Sequence, residues 1–508
     1  MIEKADKKFN KDRVIRIVGH NTLYGYAAMG WTVFLGFWVT PQILRAIGNE
    51  LYGIWGIALS TFGVVTFFDL GLGSALVLYV AQYRVREKAE EVHQAIHSAQ
   101  TLYALFGLLG GLLLFGGGRL MVTHLLKVSP EFQDLTCSIL AIYGILFAIQ
   151  MPAKVYEDVL VGMQRLDIST KIGLCVRTVE RLLVLFLLIK KVNFLSVVWV
   201  SGGLGLLIYP IEFMMVKRLL PGYRLRFALR KKDIRNLFVT GGQQFVASLG
   251  GIFVGTTDRF LLGTLLHVRM VTFYDLASRP SQFLYQLSLR FFLPIYPVSA
   301  ELQALQEKER IKTLFKKGTK VLFVLLTPLA LAVFLWSFEI IRFWVGPEYA
   351  LSGQMLQILT LSYFIHSLNV IPAAMMYGLN KAWIISSESF TRLSLNFLFS
   401  FFLIRKIGAV GAAYGLALAN GVTVPFFFWF MAKRVNIGGR ELLSEVLLFP
   451  LLLCFLGSLF FLLGRLVSFP LGISFAIFVL FFGWSSIVFY IGKDEFFSLV
   501  GAVFLKGR

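Results

Sequence analysis

Arg177, Glu180 and Arg181 stand at i, i+3 and i+4 inside an apolar run of membrane-spanning length. On a helix that spacing puts all three on one face, with one net positive charge left once Glu180 neutralises an arginine. Arg177 lies 13 residues before Lys190, about 20 Å from that helix end at 1.5 Å per residue. That is too deep for its head to snorkel to the outer surface. Guanidinium forks match phosphate oxygens in pairs, so the pattern suits the holding of an anionic group; a salt bridge to another span is the plainer alternative.

Other ionisable groups also fall in apolar runs, where each costs about 2.5–3.5 kcal/mol on insertion scales and therefore tends to face a cavity or a partner. Asp69 lies in the run from Phe67 to Ser74, next to Gly71 and Gly73. Either it accepts amide protons freed at a glycine kink, or it faces a cavity as the partner of an arginine or a coupling cation. The second half supplies Asp258, Arg259, Asp275, Arg279, Arg290, Glu388 and Arg392. Asp275 with Arg279 and Glu388 with Arg392 have the acid-first i, i+4 spacing of pairs that neutralise each other. Arg290 has no acid at helical spacing, and Arg45 reads equally as an interfacial anchor. The candidates for an anionic substrate are thus Arg177, Arg181, Arg290 and Arg392. Those for a cavity acid or a coupling ion are Asp69, Glu180, Asp258, Asp275 and Glu388.

Several chemistries find no support. No Ser-His-Asp arrangement or phosphate-cradling Gly-Lys-Ser/Thr loop occurs, and the chain does not read as an enzyme. Cys137, Cys175 and Cys454 lack metal or redox spacing and read as buried thiols. His93 and His97 border a polar connection and read as a solvated face, and His366 as a satisfied buried imidazole. Neither a metal nor a cofactor is expected.

The elements that must position these groups are membrane helices. The chain has 508 residues, 57% of them hydrophobic, a mean hydropathy of +0.74 and only 15% charged residues. Its apolar runs, about 20 residues each, suit helical spans, and barrel-like alternation is absent. We place about fourteen of them, at roughly 21–44, 52–83, 96–117, 133–156, 169–189, 194–218, 237–265, 271–298, 317–341, 353–377, 383–404, 409–432, 446–466 and 471–491. The net charge of +21 is spread over alternate connections rather than one face. This is the positive-inside pattern and not a nucleic-acid patch. It places both termini in the cytoplasm of a multi-pass protein. No cleavable signal peptide is expected, so the first span would serve as its own insertion signal.

The region from Pro152 to Gly203 recurs in weakened form about 215 positions later, pairing Arg177 with Arg392 and Leu188 with Leu403, and outside it Gly48 and Gly263 fit the same spacing. Gly162-Met-Gln-Arg returns as Gly378-Leu-Asn-Lys with a one-residue shift. Duplicated helical bundles are the usual build of secondary transporters, with the substrate site between the halves. The expected organisation is a cytoplasmic segment 1–20, a first lobe 21–218 (spans one to six), a linker 219–236, a second lobe 237–433 (spans seven to twelve), and a helix pair with tail at 434–508. The halves should be related by an axis along the membrane normal.

The stretches Leu44 to Trp55 and Phe68 to Leu76, followed by a basic connection, resemble the N-terminus of polysaccharide exporters. These are the O-antigen and lipid-linked oligosaccharide flippases of the multidrug/oligosaccharidyl-lipid/polysaccharide superfamily. Arg259 to Tyr274 resembles the start of that family's second lobe. The resemblance implies alternating access between two six-helix lobes, with a polyprenyl-pyrophosphate-linked oligosaccharide as substrate. Arg177, Arg181, Arg290 and Arg392 would meet its head, and a proton or sodium gradient would reset the cycle. It further implies a bacterial inner membrane setting beside glycosyltransferases and a glycan polymerase. A cation-coupled multidrug antiporter is the alternative, and the arginines in the spans count against it. A glycan ligase or polymerase would need a larger outward connection than the longest seen, about 118–132.

Overall fold

A computed structural model describes residues 11–65, 69–85, 89–163, 165–290, 292–379 and 381–442, with isolated positions up to Ser458. The described residues are helical and include no strand, as a chain in lipid requires when every backbone group must be paired within its own segment. The first ten residues, nearly all of the expected thirteenth and fourteenth spans, and the tail lie outside them. Among the described residues six segments are long and apolar enough to cross a membrane: Glu90–Leu125, Pro130–Gly162, Phe194–Leu219, Lys308–Leu335, Pro347–Gly378 and Val410–Arg434. They fall on the expected spans three, four, six, nine, ten and twelve.

Several expected spans are broken helices. Helix α1 (Lys11–Val65) carries two of them past a non-helical Gly48 (φ 76°, ψ 174°). The second span does not run on unbroken into α2 (Leu72–Val85), because Leu70 and Gly71 adopt positive φ of 47° and 75°. The third span is α3 (Ala89–Leu120), which ends in a π turn. The fourth divides at Lys154 into α4 (Pro130–Ala153) and α5 (Val155–Gly162). Pro152, inside α4, cannot donate the next ladder bond, and the helix gives way two residues later.

Helix α6 (Leu166–Ile189) is the fifth span, and α7 (Phe194–Gly205) with α8 (Ile208–Leu219) makes the sixth. The chain continues through α9 (Lys231–Leu261), α10 (Val268–Leu289), α11 (Phe292–Ala304), α12 (Lys308–Leu335) and α13 (Ser337–Trp344). The tenth span again divides, into α14 (Ala350–Ser367) and α15 (Val370–Gly378), just ahead of Pro372. Helices α16 (Ala382–Ile407), α17 (Val410–Arg434) and the short α18 (Gly439–Leu442) follow.

The chain forms two compact units, Ile17–Thr272 and Phe273–Arg508 with Met1–Arg16. In the first, Leu72, Leu76, Val80, Ile96, Val155 and Val159 belong to one buried core; in the second, Ile311, Phe315, Leu322, Ile371, Met375 and Met431 do. Each core therefore gathers around the short helix that follows a break. The turns after those helices match bond for bond. Met163 N donates to Val159 O and Arg165 N to Leu160 O, both at 2.8 Å; Leu379 N donates to Met375 O and Lys381 N to Met376 O, also at 2.8 Å. A Cβ on Gly162 would press the Val77 carbonyl of α2 at 2.9 Å, and one on Gly378 the Tyr296 carbonyl of α11 at 2.8 Å. The sequence repeat is a repeat of backbone geometry.

Two further approaches shape the first unit. Gly71 and Gly241 lie so close that a Cβ on either would strike the other's backbone, which seats the start of α2 against α9. At one end of the unit three connections are clasped. Lys127 N donates to Gly263 O at 2.8 Å, and Val268 N donates to Lys127 O at 3.2 Å. The Ser129 amide donates to Glu50 Oε1 at 3.1 Å, and His267 Nε2 stands 3.7 Å from the same oxygen.

Candidate functional site

The break before α2 is built around Asp69. Its Oδ1 accepts the Gly73 amide at 3.0 Å, so the carboxylate caps the new helix start in the way a glycine kink demands. Its Oδ2 pairs with the Lys154 ammonium, which stands at the break between α4 and α5. One turn further along α5, Asp158 lies buried at 8% exposure. Tyr103 from α3, with no exposed surface, joins the two acids: its hydroxyl lies 2.8 Å from Asp158 Oδ2 and 3.1 Å from Asp69 Oδ1. Two broken helices thus meet at two carboxylates, one ammonium and one phenol. A Cβ on Gly73 would come within 3.0 Å of both Asp158 and Tyr103, so only glycine leaves room for them there.

The arginines of α6 lie elsewhere in the same unit. Arg177 is exposed and Arg181 half-buried, with Glu180 half-buried between them. Arg181 points at α1, its Nη1 lying 3.5 Å from the Thr32 carbonyl, and a Cβ on Gly36 would stand 3.0 Å from that nitrogen. Thr178 accepts from Trp31 Nε1 at 2.9 Å. Helix α6 is therefore docked on α1 through Thr178 and Arg181, and Arg177 keeps a guanidinium fork open to the surroundings. Such a fork can bind a phosphate or carboxylate in bidentate fashion.

The second unit places its charges differently. Arg392 is buried, and its Nε lies 3.3 Å from Glu388 Oε1, the side chains being 6% and 7% exposed. Asn369, at the break before α15, donates to the same Glu388 oxygen at 3.2 Å. His366 stacks on Tyr285 at 4.3 Å between ring centroids. Arg290 follows α10 directly and is half-buried, its amide bonded to Leu287 O. Asp258 and Asp275 are buried in the first and second units respectively, and Arg279 is exposed. Within the first unit Asp69 is brought together with groups absent from the sequence candidates, and within the second Glu388 and Arg392 are brought together with each other.

Lys154, Asp158, Tyr103 and Asn369 escaped the sequence reading. Lys154 sits near the edge of an apolar run, where a lysine reads as an interfacial anchor. Its signal was the neighbouring Pro152, which breaks the helix before the run ends. His93 and His97, expected to be solvated, pack on Tyr223, with His97 Nε2 2.7 Å from the Arg224 carbonyl.

Comparison with known proteins fixes the setting. Over 434 residues the chain is 23% identical to the "Putative O-antigen transporter" of Shigella flexneri, covering 82% of this chain and 97% of that one. Its fold is similar to that of the lipid II flippase MurJ in an inward closed conformation, with a TM-score of 0.65 at 15% identity, over 91% of this chain and 98% of that one. It is also similar to a multidrug resistance MATE family transporter of the MOP superfamily in an inward-facing conformation, with a TM-score of 0.63 at 14% identity, over 82% and 94% of the two chains. The family model described as "Polysaccharide biosynthesis protein" matches residues 18–303, a stretch that takes in the Asp69 break, the Lys154 break and the α6 arginines. The chain therefore belongs to the polysaccharide biosynthesis protein family, on an all-helical membrane fold.

Proposed function

We propose that the protein flips a polyprenyl-pyrophosphate-linked oligosaccharide, an O-antigen or exopolysaccharide unit, across the bacterial inner membrane by alternating access. The observation that carries this reading is the family membership, joined to a relative named as an O-antigen transporter that aligns with 82% of the chain. The duplicated broken helices support it, since discontinuous spans in corresponding positions of two halves are where transporters hold substrate and coupling ions. In this reading Arg177 and Arg181 guide the pyrophosphate, with Arg290 and Arg392 as further contacts, and the lipid tail stays in the bilayer. A proton or sodium gradient resets the cycle, both termini face the cytoplasm, and glycosyltransferases and a glycan polymerase act before and after. Flipping makes and breaks no covalent bond. The fold shared with a multidrug transporter leaves an antiporter of cationic drugs as the second reading. An exposed arginine on α6 is a poor neighbour for a cation.

Complementation of a bacterium lacking its own flippase tests this, with surface glycan as the readout. The intact chain should restore glycan. Arg177→Ala and Arg181→Ala should abolish it at normal abundance, and the lysine variants should restore it only in part, because lysine keeps the charge and loses the planar fork. Export of a cationic dye without surface glycan would sink the flippase reading.

A further inference from the structure

We infer that Asp69 and Asp158 share one exchangeable proton, bridged by Tyr103, in a site where the second and fourth spans break. The argument is an inventory of donors. A phenol has a single O–H, yet the Tyr103 oxygen lies within hydrogen-bond distance of a carboxylate oxygen on each side, at 2.8 and 3.1 Å. If both acids were ionised, one of those contacts would set a bare carboxylate against a phenol lone pair inside the protein. A proton on one acid removes the conflict.

The surroundings say which acid carries it. Asp69 already accepts the Gly73 amide and the Lys154 ammonium, so it is supplied as a carboxylate. Asp158 is 8% exposed, and Tyr103 is the partner shown for its Oδ2. The proton therefore rests on Asp158 Oδ2 and donates to the Tyr103 oxygen, while the Tyr103 O–H donates to Asp69. On release the proton passes to water, and the Tyr103 O–H turns to Asp158. Asp69 then keeps Gly73 and Lys154. A metal ion is not the natural occupant, because the Lys154 ammonium already fills the cation position beside Asp69 and lies 5.8 Å over the Tyr103 ring.

A second observation points the same way. Glu212 of α8 is 1% exposed, and its Oε2 has no hydrogen-bond partner. It stands within electrostatic reach of Asp158 and of the exposed Glu157. The groups facing Asp158 are thus Asp69 at the start of α2, Tyr103 from α3, Lys154 and Glu157 beside it in sequence, and Glu212 and Tyr209 from α8. Three acids and one ammonium thus face Asp158, and the surplus negative field holds a proton. The side chains of Lys154 and Asp69 are 32% and 22% exposed, which gives the proton a route out. The site does not depend on what the chain carries; its use as the coupling ion rests on the transport reading above.

Infrared spectroscopy of the full chain in lipid discs tests the site. A carbonyl-stretch band of a protonated aspartic acid, identified by its shift on 13C-aspartate labelling, is expected at neutral pH. Asp158→Asn and Asp69→Asn should each remove it, because the remaining acid then pairs with Lys154 and ionises. Lys154→Gln should about double its intensity, since two acids without an ammonium both stay neutral. Tyr103→Phe keeps every charge, so the band should persist but move to the frequency of an unbridged acid. Absence of the band in the intact chain at neutral pH, or its survival unchanged in Asp158→Asn, would overturn the proposal; so would an unmoved band in Tyr103→Phe. A chain that shows the band yet fails complementation would sink the transport reading and leave the proton site standing.

Discussion

Lys154 and Asn369 occupy the same place in the two halves, each at the break between a long and a short helix and separated by the 215-residue offset that links Arg177 to Arg392. Around the first break the charges stand partly open, with Lys154 and Asp69 at 32% and 22% exposure. Beside the second, Arg392 and Glu388 are closed in at 6% and 7%. Duplication has kept the backbone and the turn, while the side chains at the break have taken different work. A dry ion pair holds a shape, because neither charge can afford to be left alone. A half-wet pair beside a second acid can take up and release a proton.

The largest effect should come from breaking the dry pair. Glu388→Gln leaves Arg392 buried without its counter-charge and should cost about 3–5 kcal/mol, read as a lowered midpoint of thermal unfolding in detergent. Removing both charges together, Glu388→Gln with Arg392→Met, should recover most of that loss. Equal damage from the single and double variants would show that Arg392 serves something other than Glu388.

Next come the two glycines that end the short helices. Gly162→Ala and Gly378→Ala each drive a methyl against a carbonyl of the neighbouring helix and should cost about 2–3 kcal/mol apiece. Similar losses would sharpen the repeat into an energetic equivalence. A large inequality would show that one turn is free to yield.

Lys154→Gln should cost only about 1 kcal/mol in stability, since solvent screens a pair this exposed. Its export should nonetheless fall below that of Asp167→Asn, which breaks the comparably exposed Arg165–Asp167 pair. A thermal loss as large as that of Glu388→Gln would erase the distinction between the two breaks.

The smallest effect belongs to α18. Glu441 accepts from Lys316 Nζ at 2.7 Å and lies 3.1 Å from Lys312 Nζ, and these hydrogen bonds pull its carboxyl down to about 2. A lowered carboxyl stabilises its tether above the ordinary carboxylate range, and the tether is lost as pH falls towards about 2. Limited proteolysis after Arg440 should therefore be flat between about pH 5 and 8. Glu441→Gln should raise cleavage evenly across that window; a step within it would mean another group controls the tether.

Much of this architecture was legible because lipid imposes a long apolar run on every span, and the duplication left a glycine at the end of the short helix in both halves, at Gly162 and at Gly378. The kink at Asp69 was legible too, from the glycines beside it. Depth and environment were not. Arg177 and Arg392 share one repeat position, yet the first is exposed and the second buried; helical spacing fixes which residues share a face, not what covers that face. Lys154 and Asp158 were hidden because they stand at the edge of the expected span 133–156, where a charge reads as an interfacial anchor, whereas the helix divides at Lys154 and carries Asp158 into the core. Tyr103 carried no signal at all, since a buried phenol looks like any other aromatic until its neighbours are placed.

The two bonds joining Lys127 to Gly263 and Val268 are made by main-chain groups, beside a Lys127 ammonium that donates to the Leu265 carbonyl at 2.6 Å. Side-chain replacement leaves those two donors and acceptors in place, so an alanine scan reads the side chains around them and not the bonds themselves. What they do leave is an isotopic record. The amide hydrogens of Lys127 and Val268 can trade with deuterium only while the clasp is apart. Their exchange is thus a clock, native to the chain and needing no label, for how often that end of the first unit comes open.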